Sequence, residues 1–186
     1  MKSIIWALLV AGATALLSAP VHAAEEAASW VDRISFYGDL RLRYEDIDEQ
    51  GDAGAERDRE RGRARIGLQA DVSPNVKVTM GLATGGDSPV SRNVSADSGF
   101  STKDIGIELF FMDWQATDYL TVYAGKMKNP LFKAGGVPLI WDSDLNPEGA
   151  AASFSCGMFF TNAGLFSVAE RSGADDSVLY AAQGGM

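Results

Sequence analysis

Cysteine and histidine are almost missing from this 186-residue chain, which has one of each. A disulfide scaffold needs paired cysteines, so that class is excluded. Positive charge is also scarce: 16 Lys and Arg stand against 25 Asp and Glu, a net charge of −9. Nucleic acid calls for a basic stripe, so it is not expected as a partner. Past residue 23 no stretch approaches the roughly 18 apolar residues of a spanning helix, which excludes membrane helices. What remains is 46% hydrophobic with 20 glycines and 6 prolines, too apolar for a disordered tail.

The first 23 residues read as an address. Lys2 gives a short positive start, Ile4 to Leu17 an uncharged and mostly apolar run, and Ser18-Ala19-Pro20 a break. Val21-His22-Ala23 then places small residues at −3 and −1 of a cleavage site, the pattern of a secretory signal peptide. Removal of 1–23 leaves 24–33 as a periplasmic lead and 34–186 as the body. It also removes His22, the chain's one histidine. Ser-His and Cys-His nucleophiles, histidine zinc sites and histidine general bases are excluded together, so no enzyme, cofactor or metal site is expected. Cys156, without a partner, reads as a small apolar strand residue.

The body alternates with a period of two. Ile34, Phe36, Gly38, Leu40, Leu42 and Tyr44 oppose Ser35, Tyr37, Asp39, Arg41, Arg43 and Glu45. Over Arg61 to Val72, Gly62, Ala64, Ile66, Leu68, Ala70 and Val72 oppose Arg61, Arg63, Arg65, Gly67, Gln69 and Asp71. Each segment predicts a long strand with one apolar side. After the turn signature Ser73-Pro74-Asn75, a third strand sets Val76, Val78, Met80 and Leu82 against Lys77, Thr79 and Gly81. A fourth covers 105–115, where the apolar parity switches near Leu109–Phe111; the switch reads as a β-bulge, and a strand apolar on both faces gives the same pattern. A fifth covers 120–125, a sixth 152–166, and a seventh opens at 177. Antiparallel all-β is the expected fold class.

Turns at 73–75 and 117–119 are tight, whereas connections at 46–60, 85–104 and 127–151 are long. Up-and-down transmembrane β-barrels show that asymmetry, with short periplasmic turns and long external loops. The eleven residues of 167–177 should be periplasmic by parity, and they fit the rule less well. Strand length decides between water and lipid: soluble strands run about 5–6 residues, whereas tilted membrane strands need about 9–11. The first two strands reach the membrane length.

Arg41 and Arg43 share the polar side of the first strand; Arg61, Arg63 and Arg65 share that of the second. If Glu45 and Arg61 flank the first loop as partners, Arg43 meets Arg63 and Arg41 meets Arg65. In lipid each arginine would cost about 2–4 kcal/mol near the midplane. The arginine side therefore faces a hydrated lumen, joined by Lys77 from the third strand, and the leucine side meets outer-membrane lipid. Like charges placed opposite one another repel, so a basic pore wall that sorts solutes is favoured over a plain solvated face.

Five segments carry a family likeness: ISFYGDLRLRYE, RDRERGRARIGLQADVSPNVKVTMGLATGGD, YAGKMKNPLF, LIWDSDLNPEGAA and the signal peptide before them. Together they resemble the putative porins of Gram-negative bacteria. The resemblance implies an outer-membrane β-barrel of about sixteen strands for passive diffusion of ions and small hydrophilic solutes. It also implies that the third external loop folds inward, so that Asp142, Asp144 and Glu148 face the arginine wall. Porins are commonly trimers, and a homotrimer is the assembly the resemblance allows for the full-length protein. Six to seven strands form an unclosed set, and Gln183-Gly184-Gly185-Met186 lacks the terminal aromatic of such barrels. The chain is therefore expected to be the N-terminal part of a longer porin. The alternative is a small barrel without a channel, an adhesin or membrane-stabilising protein, which eight short-looped strands could close.

Weaker signals add little. Asp46-Ile47-Asp48-Glu49-Gln50-Gly51 opens like a calcium loop, but Arg57 stands where the bidentate glutamate belongs. Tyr44, Trp114 and Tyr119 fall near strand ends, as interfacial girdles do.

Overall fold

The computed structural model describes residues 30–48, 56–97, 99–137 and 139–186. The chain divides into two compact units, Met1–Arg33 and Ile34–Met186. In the first, the described residues close a turn in which the Arg33 N–H donates to the Trp30 carbonyl at 3.2 Å. The expected signal peptide, 1–23, lies outside the described residues.

The second unit is one antiparallel sheet. Its strands are β1 (Ile34–Asp48), β2 (Glu56–Ser73), β3 (Val76–Thr84), β4 (Val94–Ser95), β5 (Ile105–Thr117), β6 (Leu120–Lys126), β7 (Glu148–Cys156), β8 (Phe159–Ala169) and β9 (Ser177–Gly185). Sequential neighbours pair along the path β1-β2-β3-β5-β6-β7-β8-β9, and the short β4 extends the pairing of β2 beyond the end of β3. The path is open. Among the described residues β1 pairs only with β2, and β9 only with β8.

Two expectations change in detail. The segment read as a sixth strand over 152–166 is a hairpin, β7 and β8, joined by Gly157-Met158. Gly157 sits at φ 60°, the left-handed region that glycine enters without a Cβ penalty. The sheet therefore has more strands than the six to seven expected. The extra reversal moves the connection at 170–176 to the other end of the sheet. Two-residue turns at 74–75, 118–119 and 157–158 now share one end; connections 85–104, 127–147 and 170–176 share the other. The second change is register. β1 and β2 remain paired out to Asp48↔Glu56, so Glu45 meets Arg59, Arg43 meets Arg61, and Arg41 meets Arg63. This is a two-residue slide from the expected pairing, and an even slide keeps every side chain on its face.

The bulge is real and falls at Glu108. Gly81 pairs with Leu109 and Leu82 with Ile107, which leaves Glu108 as the extra residue. On one side of it Ile105 and Ile107 are exposed; on the other, Phe110, Met112 and Trp114 are exposed, so the bulge restores the apolar face. That face is continuous with Phe36, Leu40 and Leu42 of β1 and Ile66 and Val72 of β2. Leu40, Leu42 and Ile66 are 73%, 78% and 63% exposed. This is the outer face.

The inner face is the one on which the 127–147 loop packs. Met127 and Phe166, 1% and 2% exposed, form a small core with Ala151, against which Phe111, Tyr123, Trp141 and Ala181 pack. Trp141 meets Phe166 edge-on at 5.6 Å. Phe132 donates its N–H to Gln183 Oε1 at 2.7 Å and accepts from Gln183 Nε2 at 3.1 Å, which ties the loop to β9.

The hydroxyl end of Tyr37 lies over Gly67 and Gly81, glycines of the two following strands. A Cβ at Gly67 would run into the Tyr37 ring and stand 2.7 Å from the Met80 carbonyl oxygen. Because backbone blocks one side, Gly67→Ala is expected to cost about 1–3 kcal/mol of overpacking strain. The readout is a lowered urea midpoint of the refolded protein, with an unchanged midpoint for Gly86→Ala, where a Cβ meets only the end of Asp104.

Candidate functional site

Cross-strand pairing collects the charges of the inner face into one sector of β1 and β2. Toward the long-connection end, Glu45 is held by Arg43 and Arg59, and Arg61 Nη1 stands 3.6 Å from it. Deeper along the strands, Arg63 Nη2 donates to Asp39 Oδ1 at 2.6 Å. Arg65 Nε donates to both oxygens of Glu108, at 2.9 and 2.8 Å. The bulge lets Glu108 and Leu109, adjacent in sequence, both lie on the inner face.

The loop adds one more acid. Asp144 Oδ1 accepts from Arg65 Nη2 at 3.0 Å and lies 3.7 Å from Arg63 Nη1. Glu108 and Asp144 are 5% and 8% exposed, so both carboxylates are largely withdrawn from water. Asp142 works within the loop, where its Oδ1 accepts the Asp144 N–H at 2.8 Å and fixes the turn that aims Asp144. Glu148 goes elsewhere. It is the first residue of β7 and takes Lys126 Nζ at 2.6 Å, on the outer-face parity shared with Phe110. Lys77 sits at the opposite end of the inner face, near the two-residue turn. It lies 3.6 Å from Asp71 and opposite Asp113.

The connection 85–104 supplies neutral partners. Arg41 Nη2 donates to Asn93 Oδ1 at 2.7 Å. Arg61 Nη2 donates to the Asn93 carbonyl at 3.1 Å and to Ser91 Oγ at 3.3 Å. β4 holds this segment against β2 through the pairs Arg61↔Ser95 and Gly62↔Val94.

The five arginines singled out in the sequence thus share one face, together with Asp144. Arg59, Glu108, Ser91 and Asn93 were not singled out. Arg59 lies beyond the clean alternation, in what reads as loop. Glu108 does carry a signal: it is the lone charge in the apolar run IGIELFFM, at the point where the parity changes.

Six guanidinium groups (Arg41, Arg43, Arg59, Arg61, Arg63 and Arg65) face four carboxylates, Asp39, Glu45, Glu108 and Asp144. Among the described residues the sector keeps an excess of positive charge and has no nucleophile–base pair of the kind acyl or phosphoryl transfer requires. Residues 46–186 match the profile of a protein family described as putative porin. No curated protein matches the chain.

Proposed function

The chain belongs to the family described as putative porin, and from that premise we propose that its sheet is part of the wall of a water-filled outer-membrane barrel. Membership carries an outer-membrane, non-enzymatic role. In this reading ions and small hydrophilic solutes diffuse passively along the inner face, and the arginine sector sorts them by charge. The outer face meets lipid, the two-residue turns face the periplasm, and the long connections face outward.

The observation that carries the reading is the ion pairing of Asp144 to Arg63 and Arg65. A loop that leaves the rim and binds the middle of the inner face narrows whatever that face encloses. The second reading, a small closed barrel without a channel, has the eight long strands it needs. It is disfavoured because the sheet is open and because an eight-stranded barrel has an interior only wide enough for its own side chains. A face covered by a long loop calls for a wider cylinder, and open edges in lipid call for further strands.

Asp46 and Asp58 are cross-strand partners on the outer-face parity, one step past Tyr44. Acids there mark the upper limit of the apolar band, with Tyr44 at its border.

Charge sorting predicts a measurable shift. Replacing Arg41, Arg43, Arg63 and Arg65 by glutamine is expected to move the reversal potential of the intact protein toward cation preference in planar bilayers under a salt gradient. An unchanged reversal potential would remove the arginines from the conducting path.

A further inference from the structure

The arginines of the inner face are not equivalent. Arg63 and Arg65 lie among three carboxylates, Asp39, Glu108 and Asp144. Arg43, Arg59 and Arg61 share a single one, Glu45. Among the described residues Arg41 has no carboxylate partner at all; its hydrogen bond goes to the Asn93 amide.

Arg41 and Arg61 converge on Asn93, one through its side-chain oxygen and the other through its carbonyl. Two cations are therefore held beside one uncharged residue. Asn93 has little freedom to leave, because its Nδ2 donates to Ser91 Oγ at 3.2 Å and its N–H to the same oxygen at 3.3 Å. The Nε–H groups of Arg41 and Arg61 are covered and have no acceptor among the described residues. Like charges in a partly desolvated cluster repel, and neutral acceptors do not offset that repulsion. A small oxyanion does: it accepts from guanidinium forks through two oxygens and brings the missing negative charge.

From this geometry we propose that Arg41, Arg61 and the Ser91–Asn93 segment form a discrete binding step for a small oxyanion, at the long-connection end of the inner face. It deepens the channel reading and rests on it for its role: an anion would pause here beside the compensated Arg63–Asp144–Arg65 constriction, since Arg41 is the cross-strand partner of Arg63. The constriction holds the loop; the step next to it recruits the solute.

The test uses inorganic phosphate as the probe and the intact full chain. In detergent, equilibrium dialysis is expected to show saturable phosphate binding. Asn93→Asp supplies the absent negative charge, and Arg41→Gln removes one fork. Each is expected to weaken binding about tenfold or more, since one lost charge-assisted contact corresponds to roughly that factor. Arg171→Gln removes a positive charge from another connection at the same end of the sheet, 170–176, where Arg171 Nη1 donates to the Asp175 carbonyl at 3.3 Å. It is expected to leave binding within about twofold. Non-saturable binding, or equal losses in all three variants, would overturn the site in favour of a general positive field. Bilayer conductance of the same preparation tests the channel separately. Saturable binding without conductance keeps the site and removes the channel role; conductance without saturable binding does the reverse.

Discussion

Arg65→Gln is expected to release the loop 127–147 from β2 and to lower stability by about 3–5 kcal/mol, the range for breaking one side of a buried ion pair. The size follows from what is left behind. Glu108 and Asp144 are almost fully covered, and Arg65 donates to both. Without it, among the described residues, Glu108 has no cation at hydrogen-bonding distance and Asp144 keeps only Arg63 at 3.7 Å. Urea unfolding of the refolded protein measures the loss. Cleavage at Lys128 and Lys133 under limiting trypsin reports the loop. The double variant Arg65→Gln, Glu108→Gln is expected to recover much of the loss, because no unpaired buried charge remains. Equal losses in the single and double variants would mean that Glu108 does not depend on Arg65.

Ile66→Arg should be comparably damaging for the opposite reason. Ile66 is largely exposed on the outer face, between Gly38 and Leu82 on the neighbouring strands. A surface substitution in water away from special features stays within about 0.5 kcal/mol. In lipid an arginine near the midplane costs about 2–4 kcal/mol. The inserted fraction after refolding into phospholipid vesicles is expected to fall steeply for Ile66→Arg and little for Gln69→Arg, whose side chain shares the inner face. Comparable insertion of the two variants would mean that the outer face meets water.

The strands were readable where one face is apolar and the other polar. β1 and β2 alternate cleanly from Ile34 to Glu45 and from Arg61 to Val72. Past those limits both faces are charged, with Asp46, Asp58 and Glu60 beside Arg59, so alternation carries no contrast even though the backbone ladder continues. That is why the register slid by two. The β7–β8 hairpin was hidden for the converse reason. Phe154, Cys156, Met158 and Phe160 keep period two through the turn itself, and only Gly157 betrays the reversal.

For the inner-face cluster, composition and parity placed the arginines together. Their individual partners depend on residues far along the chain, which spacing does not reveal. Asp144 came from family likeness and reaches the arginines. Glu148 came the same way and lies on the other face, because β7 begins one residue after Pro147 and strand parity, not loop membership, then sets its direction.

The sheet grows by pairing each strand with its predecessor, a local process with small closure entropy for the tight hairpins. The Arg65 knot is different. It joins positions 43 residues apart at Glu108 and 79 apart at Asp144. The Glu108 contact needs β2 and β5, the Asp144 contact needs the chain beyond β6 as well, and contacts of such separation form slowly. Loop locking is thus placed late in maturation. A nascent barrel would pass through a stage in which its bore is wide and its two most sheltered acids are still hydrated.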